Sequence, residues 1–540
     1  MYVAVWKCPD TVDNGIARLL FGSSFCFLHP LGSWRSNLER DSACAKDREI
    51  CQAAFGKVQR GIAYFRQQVQ VQGDIRCHAT SFICPAARRP SKVVYTMQFG
   101  DIYTAVSWPL LLGTCALGWL TRPMSNAKVP RGFHEFQFRY LIVWCLAITA
   151  DWLQGPYVYE LYASYGWSKV DIAKLFVAGF GSSMLTGTFI GSVADAWGRK
   201  SCAILYCILY ALACVTKHFN LYWILMLGRL LGGAATSLLF STFECWMVGE
   251  HKRCGFPDEL LRYMFGLMFF VQYLAAIGAG LLAQFAASSL PLTHLGASTW
   301  YGGPTTPFDV SLAFLLIAIP TISFLWQENY GDPGEGGDGV VQIASSFKAG
   351  CQSLSSDWRV PLLGLVVAAF ESSMYVFVFN WTPALDSASI APPHGLIFSG
   401  FMMACMCGSS LFSLLDASVQ PIKVLWPVCL AAAIALACVA TSLWTGASEE
   451  WVFGGFLAFE ACVGAYFPCV STVKSQIVPE ETRAGVYNVY RVPLNLCVVL
   501  LLLADLELQT SFTVCSLLLV FSAVAVAMIG TKRSQDQGAV

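Results

Sequence analysis

The chain has 540 residues, of which 56% are hydrophobic and 13% are charged, and its formal net charge is zero. A soluble domain carries about 25% charged residues, and the mean hydropathy here is +0.56. These values indicate a membrane protein with many spans, and the zero net charge argues against a nucleic-acid partner. The 22 cysteines form no CxxC pair and no zinc-like cluster with histidine. We therefore expect neither a metal site nor a cofactor.

Thirteen apolar segments are each long enough to cross a bilayer as a helix, which takes about 20 residues. They are predicted at 102–120, 138–157, 174–194, 201–217, 222–246, 261–286, 309–326, 358–380, 394–415, 424–444, 451–473, 487–505 and 511–530.

The region before the first segment, residues 1–96, is rich in basic residues and cysteines and has no clear apolar core. Its most apolar stretch, Ile16 to Leu31, is interrupted by Arg18 and His29, which is unfavourable for a signal peptide. Two interpretations stay open. Translation starts at Met97, or residues 1–96 form a leader that is removed or a poorly ordered extension.

A polar linker containing GDPGEGGDG divides the other twelve segments six and six, as in transporters built from repeats. The predicted organisation is an extra helix and loop at 97–136, a first six-helix half at 137–326, a linker at 327–357, a second half at 358–530 and a tail at 531–540.

Lysine and arginine are shared unequally between the two ends of these helices. With the linker in the cytosol, the opposite side holds Lys169, Lys174 and Lys217. The cytosolic side holds many more, among them Arg122, Lys128, Arg131, Lys252, Arg253, Lys474, Arg483, Lys532 and Arg533. This positive-inside pattern predicts a multi-pass protein, expected in the plasma membrane, with the linker and the tail in the cytosol.

The loop between the third and fourth segments reads GSVADAWGRK, with Gly191, Asp195, Gly198, Arg199 and Lys200 in a GxxxDxxGRK spacing. Gly191 would let two helices approach closely. Asp195 can pair with a base, and Gly198 permits a tight turn. The pattern resembles the signature gating loop of the major facilitator superfamily. That resemblance implies an all-α fold of six plus six membrane helices, here with one extra N-terminal helix.

Five longer stretches narrow the resemblance. They are DWLQGPYVYELY (151–162), GRLLGGAATSLLFSTFECW (228–246), FESSMYVFVFNWTPALD (370–386), GLIFSGFMMACMCGSSL (395–411) and AGVYNVYRVPLNL (484–496). Together they are similar to the molybdate-anion transporter family of that superfamily. The resemblance implies uptake of molybdate. The loop departs from many members at Ala196, where they carry a basic residue.

Ionisable residues are concentrated on particular core helices, numbered one to twelve from residue 138. Asp151 lies in helix 1, Arg229 and Glu244 in helix 4, Glu371 in helix 7 and Glu460 in helix 10. The superfamily resemblance implies that these helices line the central cavity. Buried ionisable residues in membrane helices usually mark a pathway, and an apolar surrounding favours a carboxylate that can take up a proton. The carboxylates are therefore candidates for proton coupling or for buried charge pairs, with Glu371 a proton carrier or the partner of Arg229.

Molybdate is a doubly charged oxyanion, so its site needs cationic or hydrogen-bonding groups. Arg229 is the strongest candidate ligand, because its guanidinium can grip two oxygens, and Arg491 is the second. Neutral polar candidates are Gln154, Ser372, Ser373 and Asn380.

No GxxxxGK[ST] signature and no nucleophile–base set is present. The expected activity is therefore symport by a monomeric carrier in the lipid bilayer, not ATP-driven pumping or an enzyme reaction. Two alternatives stay open: a carrier of another anion or small organic solute, and a membrane sensor or scaffold that does not transport.

Overall fold

The computed structural model describes residues 102–124, 128–296, 298–331, 348, 350–355, 357–386, 392–416 and 418–538. Its α-helices, numbered in chain order, are α1 (Ile102–Leu120), α2 (Phe133–Gln154), α3 (Val158–Ser164), α4 (Lys169–Trp197), α5 (Arg199–Thr216), α6 (Tyr222–Arg253), α7 (Asp258–Ser289), α8 (Thr306–Leu325), α9 (Arg359–Leu385), α10 (His394–Asp416), α11 (Pro421–Thr445), α12 (Glu449–Ile477), α13 (Arg483–Leu503) and α14 (Leu508–Gly538). The strands are β1 (Thr293–His294) and β2 (Trp300–Tyr301).

Helices dominate because an apolar segment in a bilayer must satisfy its own backbone hydrogen bonds. A 3₁₀ turn at Gly155–Tyr157 joins α2 to α3, so these two helices form one span. Among the described residues, 13 helices are long and apolar enough to cross a membrane, which confirms the predicted number of spans. The division into domains stays a prediction, and the predicted leader at 1–96 lies outside the described residues.

A small hairpin departs from the expected all-α chain. Strands β1 and β2 pair antiparallel between α7 and α8, and the hairpin reaches the loop between α5 and α6 through a bridge from Phe219 to Thr299. In that loop His218 Nε2 lies 2.8 Å from Asp309 Oδ1, and this hydrogen bond raises the pKa of His218. Strands of two residues carry no periodic pattern, so the sequence did not predict the hairpin.

Two hydrophobic cores correspond to the two sets of helices, here called the N half (α2–α8) and the C half (α9–α14). In the N half the indole rings of Trp246 and Trp326 stack with centroids 3.9 Å apart. In the C half Phe370 stacks on Tyr466 at 3.7 Å. Each half therefore has its own aromatic packing.

The halves meet along α7 with α10 and along α4 with α13. We call the end of the bundle that holds the α4–α5 turn and residues 327–331 the linker face, and the opposite end the far face. The hydrogen bonds between the halves, going from the far face inward, are Lys169 Nζ to Leu506 O (2.6 Å), Gly395 N to Gln284 Oε1 (3.0 Å), Ser399 Oγ to Ile277 O (2.9 Å) and Cys405 Sγ to Tyr273 Oη (3.9 Å).

Aromatic contacts between the halves follow the same distribution. The ring pairs, with centroids 4.8–5.8 Å apart, are Trp152–Phe398, Tyr157–His394, Tyr159–Phe379, Phe176–Phe379 and Phe180–Tyr375. These contacts between the halves lie from the middle of the bundle toward the far face. The bundle is therefore closed toward the far face.

Helix α1 packs outside the twelve core helices, beside the seam between α7 and α10. Its Thr114 Oγ1 contacts Met403 O at 3.4 Å, and its Thr121 Oγ1 donates to Ser410 Oγ at 3.0 Å. Gly118 lies against side chains of both halves, Met406 on α10 and Phe270 on α7.

The α4–α5 turn is held by residues at the start of the linker. Gly198 has a φ of 101°, and Arg199 Nη2 contacts Asp195 Oδ1 at 2.7 Å. The carboxylate of Glu328 accepts from Lys200 N at 2.7 Å and from Ser201 N at 3.1 Å. These amides are among the donors at the start of α5 that have no partner within the helix. Glu328, which is far away in the sequence, therefore caps the N-terminus of α5.

The expectation that Gly191 allows a close helix–helix approach is wrong for this structure, because a Cβ built at Gly191 meets nothing within 4 Å. A Cβ at Gly198 would instead lie 2.4 Å from the carboxyl carbon of Glu328. The physical reason is that no neighbouring helix of the described chain comes close to Gly191, whereas Gly198 in the turn packs on the linker residue Glu328.

The two glycines of this loop should therefore respond differently to alanine. Gly198→Ala should destabilise the protein, since a positive φ alone costs an L-residue about 1–2 kcal/mol and the Glu328 cap would also be displaced. Gly191→Ala should be neutral or slightly stabilising, as alanine is favoured over glycine inside a helix by about 0.5–1 kcal/mol. Thermal unfolding of both variants in detergent measures this, and equal losses at both positions would contradict the assignment.

Candidate functional site

The N-half candidates lie on α2 and α6. Asp151 accepts a hydrogen bond of 2.7 Å from the hydroxyl of Tyr210 on α5. Arg229 Nε donates to Leu175 O on α4 at 3.2 Å, and its guanidinium carbon lies 4.7 Å from the ring centroid of Phe176. The guanidinium is thus held by one carbonyl and one aromatic ring.

Space for this guanidinium depends on a glycine in the neighbouring helix. A Cβ at Gly179 of α4 would lie 2.7 Å from Arg229 Nη2. Any larger residue at 179 would push the guanidinium away, so α4 and α6 together fix the position of this charge.

Gln154 is buried inside the N half, where its side-chain amide donates to Cys214 Sγ at 3.4 Å and to Ser311 Oγ at 3.2 Å. These partners lie on α5 and α8, away from the seam. These contacts hold Gln154 within the N half, and its role in substrate binding stays a prediction.

The C-half candidates cluster around Glu371, in the middle of α9. Its carboxylate interacts electrostatically with Lys474 on α12 and with Arg491 on α13. Neither cation is within ion-pair distance of a carboxylate among the described residues. Glu371 also interacts with the phenols of Tyr375 and Tyr466. Three helices therefore bring two cations, one carboxylate and two phenols to one place.

The neutral candidates on α9 are fully buried. Ser372 and Ser373 donate to Ala369 O of their own helix, at 3.2 and 2.8 Å. Asn380 is 3% exposed, and its Oδ1 has no hydrogen-bond partner in the described part of the chain. The serine hydroxyls are thus engaged within the helix, whereas the Asn380 amide has unused capacity.

The remaining carboxylates occupy different surroundings. Glu460 is 5% exposed and interacts electrostatically with Tyr273 on α7 and with Cys405 on α10, across the seam between the halves. In the described residues no ion pair reaches it. Glu244 is exposed and lies within electrostatic range of Tyr140.

An aromatic chain connects the two candidate regions across the seam. The Phe176 ring, which contacts Arg229, packs on Phe180 at 5.9 Å, and Phe180 packs on Tyr375 at 4.8 Å. Tyr375 in turn interacts with Glu371. Arg229 and the C-half cluster therefore lie at opposite ends of an aromatic barrier.

Of the two roles expected for Glu371, the pairing with Arg229 is not formed in this structure. In the described chain, Arg229 is within ion-pair distance of neither Glu371 nor Glu460. Its guanidinium is turned toward α4, within its own half, and the aromatic chain lies between it and Glu371.

The sequence reasoning missed three functional neighbours: Tyr210 beside Asp151, Lys474 beside Glu371, and Glu328 at the signature loop. Lys474 was assigned to the cytosolic ends of the helices. The sequence held a signal for Lys474. It lies in the last turn of α12, and the apolar stem of a lysine can extend back along a helix into the membrane. The other two contacts depend on packing between distant segments.

Comparison with known proteins places this geometry in a family. Residues 102–466 match the family model described as sugar transporters with 12 transmembrane helices. A molybdate-anion transporter of Takifugu rubripes is 37% identical over 407 residues, covering 71% of this chain and 82% of the relative. That of Xenopus tropicalis is 34% identical over 429 residues, covering 76% and 89%.

Solved structures share the fold at low sequence identity. The crystal structure of a D-xylose–proton symporter matches with a TM-score of 0.56 at 12% identity, covering 73% of this chain and 97% of the symporter. A nucleoside transporter matches with a TM-score of 0.58 at 11% identity, covering 73% and 99%. With thirteen spans, a signature loop and relatives matched over most of their length, the chain belongs to the molybdate-anion transporter family of the major facilitator superfamily.

Proposed function

We propose that this protein is a carrier that takes up molybdate into the cytosol, with the linker face on the cytosolic side. The observation that carries the proposal is Arg229, a cation in a membrane helix that no carboxylate in the described residues pairs with. An arginine at the centre of a membrane helix costs about 2.5–3.5 kcal/mol on insertion scales. A permanent charge held against that cost, in a family whose named relatives carry molybdate, supports an oxyanion cargo.

Transport would proceed by alternating access. The contacts between the halves lie between the middle of the bundle and the far face, so the arrangement corresponds to a state open toward the linker face. The excess of lysine and arginine at that face supports a cytosolic orientation. On this assignment the conformation is inward-facing, and separation of Phe180 from Tyr375 would open the path from outside.

Proton coupling is the second part of the proposal, and its candidate carriers are Asp151, Glu371 and Glu460. The Glu460 carboxylate is the best placed for a role in switching, because it lies at the seam near Tyr273 and Cys405. Burying a neutral carboxylic acid at this apolar contact costs less free energy than burying an ionised one. Protonation of Glu460 would therefore stabilise the packing of α7 against α10 seen here.

We place the carrier in the plasma membrane as a monomer whose task is transport, not catalysis. Molybdate uptake in cells that lack their own molybdate carriers tests the cargo directly. Uptake that rises on expression and that excess sulfate does not abolish supports molybdate. Uptake of sulfate or a sugar, with none of molybdate, would overturn the proposal.

Arg229→Ala should lower kcat/KM for molybdate by about ten- to a hundredfold, as expected when one charge-assisted hydrogen bond to the anion is lost. Initial uptake rates at varied molybdate concentration measure the effect. Arg262→Ala, at an exposed position on α7, is the matched control and should transport normally. Full activity of Arg229→Ala would remove Arg229 from the substrate site.

Uptake into proteoliposomes should increase when the outside is acidic and should collapse with an uncoupler. Glu460→Gln should abolish this concentrative uptake while retaining exchange of labelled for unlabelled molybdate, because exchange needs no net proton movement. Glu259→Gln, at an exposed position in the first turn of α7, should behave like the unmodified protein. Wild-type uptake insensitive to the pH gradient would exclude proton coupling.

A further inference from the structure

The group formed by Glu371, Lys474 and Arg491 differs from the ion pairs elsewhere in the protein. In those pairs a basic side chain lies in direct contact with its carboxylate; they are Lys174–Asp171, Arg199–Asp195, Arg253–Glu250 and Arg359–Asp357, all at 2.6–3.1 Å, together with Arg139–Glu135. Lys474 and Arg491 instead act on one carboxylate, Glu371, from beyond ion-pair distance.

The two cations lie on α12 and α13, which both pack against α9. Lys474 Nζ on α12 lies 4.9 Å from the ring centroid of Tyr487 on α13, and the charge on Arg491 acts on Lys474. A ring face attracts a cation only weakly, by about 0.5–1 kcal/mol at an exposed site. Two like charges carried by α12 and α13, with no anion of the described residues in contact, form an arrangement that a bound anion would stabilise.

The charges of the group match those of a tetrahedral dianion. With Glu371 ionised, the three side chains sum to a single positive charge. With Glu371 neutral they sum to two positive charges, which a doubly negative oxyanion would balance. Binding of the dianion and ionisation of Glu371 therefore oppose each other, since both place negative charge beside the same two cations.

We propose that Lys474 and Arg491 form an oxyanion-binding site on the linker-face side of the aromatic barrier, and that the Glu371 carboxylate competes with the oxyanion for this pair. The inference rests on the proposed molybdate transport and adds to it a second, release-side site distinct from Arg229. In the sealed arrangement the aromatic chain through Phe180 and Tyr375 separates this site from Arg229.

The groups facing Glu371 come from each element packed on α9. Helix α12 contributes Lys474 and the phenol of Tyr466, α13 contributes Arg491, and α9 itself contributes Tyr375. The hydroxyl of Tyr466 is fully buried and has no hydrogen-bond partner in the described residues. It is a donor available to an anion or to Glu371.

Further residues of these elements do not alter the charge balance. Helix α14 contributes Cys515, whose backbone carbonyl contacts Ser373 Oγ at 3.5 Å. In the described part of the chain α14 places no carboxylate or cation within ion-pair distance of Glu371. Glu371 is therefore the titratable group whose charge decides whether the pair is free.

Molybdate binding to the purified protein, measured by calorimetry, tests the assignment. Lys474→Gln should weaken the Kd about tenfold or more, the usual effect of losing a charge-assisted hydrogen bond. Lys474→Arg should retain most of the affinity. Lys423→Gln, an exposed lysine near the linker-face end of α11, is the matched control and should bind like the unmodified protein.

The competition predicts a pH dependence with a defined sign. As pH rises and Glu371 ionises, the affinity of the unmodified protein for molybdate should fall. Glu371→Gln, which cannot ionise, should bind tightly at every pH tested. Equal pH dependence in both proteins would overturn the competition, even if each binds molybdate.

The outcomes separate this inference from the function on which it rests. Normal binding by both Lys474→Gln and Arg491→Gln, in a protein that transports molybdate, overturns the second site and leaves the proposed function standing. Absence of molybdate binding and uptake in the unmodified protein overturns both. Should Lys474→Gln unfold, shown by its thermal transition, the comparison of Arg491→Gln with the control variant decides.

Discussion

The cost of holding a charged side chain inside an apolar helix bundle is the constraint on which the rest of this structure depends. Each ionisable group is compensated in its own way: Asp151 by a phenol, Arg229 by a carbonyl and a ring, and Glu371 by two cations at a distance. A buried charge is best compensated where a neighbouring side chain bonds to it directly, as at Asp151. Among the described residues Glu371 has no such partner, so a bound substrate or a proton would supply the missing compensation.

The contacts that close the seam between the two halves are individually weak. Hydrogen bonds to Gly395 and Ser399 and the ring pair Phe180–Tyr375 close the bundle toward the far face. A bundle closed at one end by small polar contacts and ring edges is easily reopened, because no single contact there is strong. Charge inside the bundle and weak closure at one end are both properties expected of a carrier.

Features of the fold and of the candidate site could be predicted from the sequence where their signal lies within a single segment. Apolar length and the distribution of lysine and arginine predicted thirteen spans, because both signals lie within single segments. The concentration of charge on four helices was also visible. The contacts of those charges were not, since Lys474, Arg491 and Glu371 come from three helices and their separation depends on packing. Gly191 shows the converse, as a residue with a plausible close approach that the observed arrangement of the halves does not use.

Helix α1 has a mechanical consequence. Hydrogen bonds join α1 and the residue after it to the C half. Thr114 and Thr121 bond to α10, and Tyr103 bonds to Glu449 at the start of α12. Toward the N half the contacts are apolar, with Gly118 beside Phe270 and Pro123, which follows α1, beside Gly266. With α1 attached to the C half, seven membrane spans of the described chain lie on that side and six on the side of the N half. In the alternating-access transport proposed above, the sliding surface would include the border of α1 with α7, so lipid at that border would be displaced in every cycle.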